Sequence, residues 1–168
     1  LRIMCKEKVL PLFKIICKNT YDKETRNNFH LEVLIDRLMY RLAKQSPSRE
    51  SWHRDVIPPE LITDNDELYG GWLNLDLKDQ YFSCIPGSHL GVKLKTLKPG
   101  FATIPKDDVP KFNVYKDKFT VPPGHLIIFP QYILHEVVST KVNYIMKRLF
   151  IGWRTTNKNT FLHKDMLK

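Results

Sequence analysis

Three residues of this chain carry the donor set of a metal site. His53 and Asp55 stand two apart, and His135 follows eighty positions after Asp55. Two imidazoles and one carboxylate form the facial triad of mononuclear non-haem Fe(II), which leaves three cis positions open for a co-substrate and O₂. On an extended strand, residues two apart point to the same side, so His53 and Asp55 can reach one ion while Trp52 and Arg54 face away. A His-x-Asp pair is common by chance, and a lone later His is more often packed or solvated than ligating, so the surroundings carry the weight.

Those surroundings read as a β-barrel. Upstream of His135, the run Pro123-Gly124-His125-Leu126-Ile127-Ile128-Phe129-Pro130 is an apolar stretch entered by a Pro-Gly turn, the pattern of a buried strand. Beyond His135, period two over Ile145 to Arg154 puts Met146, Arg148, Phe150, Gly152 and Arg154 on one face.

Taken in order, His53-x-Asp55, Cys84-Ile85-Pro86-Gly87-Ser88-His89, Gly124 to Phe129, His135 and Arg148 resemble the Fe(II)/2-oxoglutarate-dependent oxygenases. The Ile-Pro-Gly-Ser-His element is most similar to the phytanoyl-CoA dioxygenase branch. The resemblance covers about residues 49 to 155. It implies a mainly β fold with a flanking helix, a double-stranded β-helix (jelly roll, cupin-like barrel), with Fe(II) held by His53, Asp55 and His135. It also implies 2-oxoglutarate as co-substrate, chelating the iron through its 1-carboxylate and 2-oxo group, with an Arg on the last barrel strand gripping the distal carboxylate.

Arg148 suits that grip because a planar guanidinium can donate two parallel hydrogen bonds to a carboxylate. Arg154 competes for the role, the plainer reading of it being a solvated charge at the strand end. In the resembled family the strand around Trp72 to Leu77 lines the cavity, so Asn74 either touches co-substrate or substrate or is a satisfied core amide. His89 takes a structural or supporting role beside the site and does not bind iron. The implied activity is a dioxygenase hydroxylating a small-molecule or acyl substrate. Alternatives are a prolyl-hydroxylase-like action on protein, demethylation of nucleic acid, or an inactive jelly-roll interaction module.

The elements that position these residues follow from periodicity. Phe29, Val33, Leu34, Leu38, Met39 and Leu42 recur at three- and four-residue steps, predicting an amphipathic helix over about Glu24 to Lys44. Val9 to Cys17 reads as a buried strand or short helix, and Tyr81 to Ile85 and Val114 to Val121 as strands. The long basic segment Lys93 to Lys111 reads as a lid or substrate-binding insertion. The expected organisation is a single domain over 1–168: N-terminal support over 1–48, a jelly-roll core over 49–155 and a basic tail over 156–168.

Cys5, Cys17 and Cys84 lack the spacing of a zinc site or disulfide framework, so the chain reads as reduced and intracellular, in the cytoplasm. No window approaches the roughly eighteen consecutive apolar residues of a membrane span. The net charge of +9 is concentrated at the ends, +4 over residues 1–20 and +6 over 141–168, around a centre summing to −1. Such ends suit contact with a polyanion. DNA and RNA oligonucleotides should therefore bind weakly, with a log-log salt slope near −0.9 per duplex phosphate contacted. A titration at two salt concentrations checks this, and undetectable binding at low salt removes the polyanion from consideration.

Overall fold

Alternating apolar and polar residues pair into two antiparallel sheets laid face to face. The computed structural model describes residues 2–23, 27–45, 50–57, 62, 66–92, 100–137 and 141–156. Its strands are β1 (His30–Arg41), β2 (Glu50–Val56), β3 (Glu67–Asn74), β4 (Gln80–Cys84), β5 (Gly100–Thr103), β6 (Asp117–Val121), β7 (Leu126–Pro130), β8 (His135–Val137) and β9 (Met146–Thr156). One sheet runs β1-β9-β3-β7 and the other β5-β2-β8-β4-β6. With β5 set aside as an added edge, the chain winds from sheet to sheet as a jelly roll, the double-stranded β-helix expected.

Helix α1 (Arg2–Thr20) precedes the strands, and a short helix α2 (Val109–Asn113) sits between β5 and β6. Between the sheets, the Phe82 and Phe129 rings stack at 4.4 Å among Trp72, Cys84, Val121 and Ile133. On the outer face of the four-stranded sheet, α1 packs Val9 and Phe13 against Leu31, Tyr69, Leu149, Ile151 and Trp153. Gly71 allows β3 to approach β7, since a Cβ there would lie 2.2 Å from the Ile127 carbonyl oxygen. The outer face of the five-stranded sheet is closed by Trp52, Ile85 and Leu134 under Ile104, Val109 and Phe112.

Several expectations change. Within the segment read as a helix over 24–44, His30–Arg41 is strand β1, paired with β9 from His30↔Thr156 to Arg41↔Met146. A register shift between Val33 and Ile35 adds a residue and breaks period two. Leu31 faces the α1 cluster and Leu34 a different one, so apolar residues on both faces imitate helical spacing. Long-range pairing outweighs the local pattern. Val9 to Cys17 lies within the longer helix α1, which carries Pro11 inside it.

The insertion expected over 93–111 has structure of its own, β5, a 3₁₀ turn (Lys106–Asp108) and the start of α2; residues 93–99 lie outside the described residues. The strand expected to alternate out to Leu77 stops at Asn74, leaving Leu75 and Leu77 exposed. Most of the segment between β2 and β3 and all of the tail beyond Thr156 fall outside the described residues. Among the described residues, no helix is long and apolar enough to cross a membrane.

Phe13 is fully buried, with its ring edge-on to Tyr69 at 5.2 Å. Phe13→Ala should lower unfolding stability by about 3 to 5 kcal/mol, read from the midpoint of a urea titration. A loss below about 1 kcal/mol would mean that α1 does not close this face.

Candidate metal centre and its cavity

The centre begins with one register. β2 pairs with β8 so that His53 lies directly opposite His135, both on the inner face. The rings are 4.2 Å apart between centroids. Two residues along β2, Asp55 returns to the same face, its Oδ1 3.7 Å from His53 Nε2 and its Oδ2 3.7 Å from His135 Nε2. The ligand atoms of the three residues all lie within 4.8 Å of one another. Two donors held at about 2.0 to 2.2 Å from one ion can be at most about 4.4 Å apart, so the carboxylate is already within reach of an ion shared with either imidazole.

The tautomer of His135 favours this use. Its Nδ1 lies 3.0 Å from the Ile133 carbonyl oxygen. A carbonyl can only accept, so Nδ1 carries the proton and Nε2 turns a lone pair toward Asp55, as metal-bound histidines are commonly oriented. Burial pushes the Asp55 carboxyl above its ordinary range, with His53 and Arg37 pulling it back. A divalent ion would supply the positive charge that this half-buried carboxylate lacks.

Arg54, between the two β2 ligands, points the other way. Its Nη1 donates to the carbonyl oxygens of Ser88, at 2.7 Å, and of Tyr132. Ser88 Oγ accepts from the Leu134 amide at 2.8 Å, and the Ile85 amide donates to the Leu134 carbonyl. Gly87, at φ +75°, lets the Ile85 to His89 turn fold back to make these contacts. The element therefore braces the residue before His135. His89 stands in that brace and outside the donor set, its pKa lowered by burial and then by Arg54.

A cavity of about 570 Å³ opens beside the three ligands, with Trp72, Phe129 and Phe150 on its apolar wall. Arg148 lines it and lies over the Trp72 ring, 5.2 Å from the centroid. Arg154, six residues and about 20 Å further along β9, is outside the cavity wall. It is neither a solvated charge nor placed for a co-substrate: it is 1% exposed, with Nε 3.0 Å from Glu32 Oε2 and Nη1 3.3 Å from Asp66 Oδ2.

Asn74 is corrected likewise. Its Nδ2 donates to the Lys78 and Val121 carbonyls, and its Oδ1 accepts from the Asp76 amide and Gln80 Nε2. With that capacity used inside the protein and no share in the cavity wall, it is the satisfied core amide of the β3–β4 turn. Arg37 and Arg41, which do line the cavity, were hidden by reading their segment as a helix. As a strand, Arg37-x-Met39-x-Arg41 would have announced one face.

No protein-family model matches the sequence, and no curated protein sequence matches it. The fold is similar to that of EctD from S. alaskensis, solved with 2-oxoglutarate and 5-hydroxyectoine, at TM-score 0.54 and 14% identity over 73% of this chain and 44% of that one. It is also similar to the epimerase SnoN, in complex with Fe3+, alpha ketoglutarate and nogalamycin RO, at TM-score 0.52 and 10% identity over 73% of this chain and 49% of that one. A third is the apo non-heme monooxygenase ThoJ, at TM-score 0.51 and 16% identity over 76% and 49%. The chain spans less than half the length of each of these three, and at such identities the likeness is one of fold.

A carboxyl whose folded pKa lies above its unfolded value weakens the fold once pH rises past the unfolded value, and costs nothing below it. Asp55→Asn should therefore stabilise the metal-free protein at pH 7, with the gain fading below about pH 4. The same change should weaken Mn(II) binding by roughly a hundredfold or more. Denaturation midpoints across pH and a metal titration read the two effects. A destabilised apoprotein at pH 7 would contradict the burial argument.

Proposed function

We propose that this chain carries the catalytic core of an Fe(II)- and 2-oxoglutarate-dependent dioxygenase that hydroxylates a small-molecule or acyl substrate. The observation that carries the reading is the convergence of His53, Asp55 and His135 beside a cavity whose wall also holds Arg148. The donor set fits Fe(II): two imidazoles, one with its lone pair fixed by the Ile133 carbonyl, and a single carboxylate. Support also comes from fold neighbours that were solved with iron or 2-oxoglutarate. The finer likeness to the phytanoyl-CoA dioxygenase branch rests on the Ile85 to His89 element alone.

When bound, the iron and 2-oxoglutarate together supply O₂ activation, one oxygen atom going to succinate as CO₂ leaves and the other to the substrate C–H bond. The protein holds and orients. His53, Asp55 and His135 would hold the ion. Arg148 donates to the distal carboxylate of 2-oxoglutarate, and its place over Trp72 limits its rotamers. Trp72, Phe129 and Phe150 exclude water beside the ion, so that the substrate meets an apolar wall. An inactive interaction module has no need of three converging ligands with a fixed tautomer.

Arg148→Ala should raise the 2-oxoglutarate concentration needed for half-maximal succinate formation about a hundredfold, as expected for losing a bidentate charged contact, while Fe(II) binding is kept. Arg154→Ala should instead destabilise the fold by about 3 to 5 kcal/mol, because it leaves Glu32 and Asp66 without their shared cation. The opposite pattern would move the anchor to Arg154, and no succinate from the wild-type protein would sink the dioxygenase reading.

A further inference from the structure

The end of the cavity away from Arg148 holds a polar side chain that the fold leaves unused. β3 sets the rows on the inner face of its sheet: Asn74 pairs with Arg148, Trp72 with Phe150 and Gly70 with Phe129, and the Leu68 carbonyl accepts from the Gln131 backbone amide at 2.9 Å. Asn74 and Leu68 are six residues apart, which sets the backbones of Arg148 and Gln131 about 20 Å from each other. Phe129, in the row beside Gln131, has its ring 5.4 Å from that of His135, so the metal ligands face the rows between. β2 runs antiparallel to β8 and leads from His53 through Asp55 back toward Gln131, to Val56 and Gly100, which pair in the same wall. Gln131 lines the cavity, yet its Oε1 is enclosed without a hydrogen-bond partner. Among the described residues no hydrogen bond holds its side-chain amide, whereas the amide of Asn74 is fully used inside the protein.

We propose that Gln131 is a specificity-determining residue, its amide donating to a neutral oxygen, hydroxyl or carbonyl, on a small-molecule substrate whose apolar part rests on Phe129. The proposal rests on the co-substrate reading above, in which Arg148 holds 2-oxoglutarate at the other end of the cavity and leaves the Gln131 end to the substrate. An enclosed acceptor without a donor is unfavourable, and turning the amide into the chamber breaks no hydrogen bond. Long side chains make such turns quickly, so the ligand meets little resistance. The amide carries no charge to offset the desolvation of an anion, so a neutral oxygen is its natural partner. A hydrocarbon of the same shape leaves it unpaired, and that difference is the discrimination.

The test uses the whole chain loaded with Mn(II) and saturating 2-oxoglutarate, with benzyl alcohol, acetophenone and toluene as probes, their binding read from the relaxation of probe protons near Mn(II). At least one of the two oxygenated probes should bind about tenfold more tightly than toluene, and which one does so separates hydroxyl from carbonyl. Gln131→Leu should bring that probe level with toluene while 2-oxoglutarate affinity holds. The same variant should leave the urea midpoint of the ligand-free protein unchanged or raise it, since the fold loses no hydrogen bond. Toluene binding as tightly as both oxygenated probes, no binding of either of those two, or binding indifferent to Gln131→Leu overturns the inference while leaving the dioxygenase reading standing. So does a lowered midpoint, which would make Gln131 a support of the fold, or a loss of 2-oxoglutarate, which would assign it to the co-substrate. If the Mn(II)-loaded wild type binds no 2-oxoglutarate, the co-substrate reading falls and the inference falls with it.

Discussion

The register of β2 against β8 decides whether His53, Asp55 and His135 can share one ion at all. β8 is three residues long, and its pairing places His135 opposite His53. Because side chains alternate from face to face, a slip of one residue would turn His135 outward among Trp52 and Leu134 and bring Glu136 inward. Three ladder residues are too few to forbid that slip unaided. The turn Ile85 to His89 supplies the missing constraint through the Ser88 hydroxyl and the Ile85 amide, both bonded to the Leu134 backbone. Arg54 completes it from β2 itself, so the strand that carries two ligands also reaches across to hold the approach to the third.

Two arginines on one face of β9 show how far local company governs the use of a charge. Arg154 sits between Glu32 and Asp66, with all three drawn from different segments, and is buried by them. Such a buried cluster adds little net stability against an apolar replacement, but it penalises any arrangement of β1, β3 and β9 that separates its members. Arg148 faces aromatic carbon and an open chamber instead. The first fixes the sheet and the second lies in the cavity wall, although both satisfy the same period-two rule.

The ligand spacing on β2, the apolar strand ending at Pro130 and the turn at Gly87 were legible because each rests on neighbouring residues alone. Strand β1 was not. Its bulge after Val33 and its apolar residues on both faces produce steps of three and four, and the pairing that makes it a strand lies more than a hundred residues away on β9. Missing that strand concealed Arg37 and Arg41. Asn74 and Arg154 were ambiguous for a related reason, since a polar residue on an inward face reads the same whether its partner is a ligand or, as here, Gln80, Val121, Glu32 and Asp66. The face was readable and the partner was not.

Both outer faces of the jelly roll are covered, one by α1 and the other by the segment from β5 to α2, so the interior is reached at strand ends and sheet edges. The strand carrying His53 and Asp55 would itself be such an edge if β5 did not pair with it from Thr103 to Gly100. That pairing satisfies the outward amides and carbonyls of β2 and removes a template for aggregation. It also puts Gly100, without a side chain, into the cavity wall. Over its described residues, the insertion between β4 and β6 is thus a fixed wall of the site, tied down by the Trp52 indole donating to Asn113.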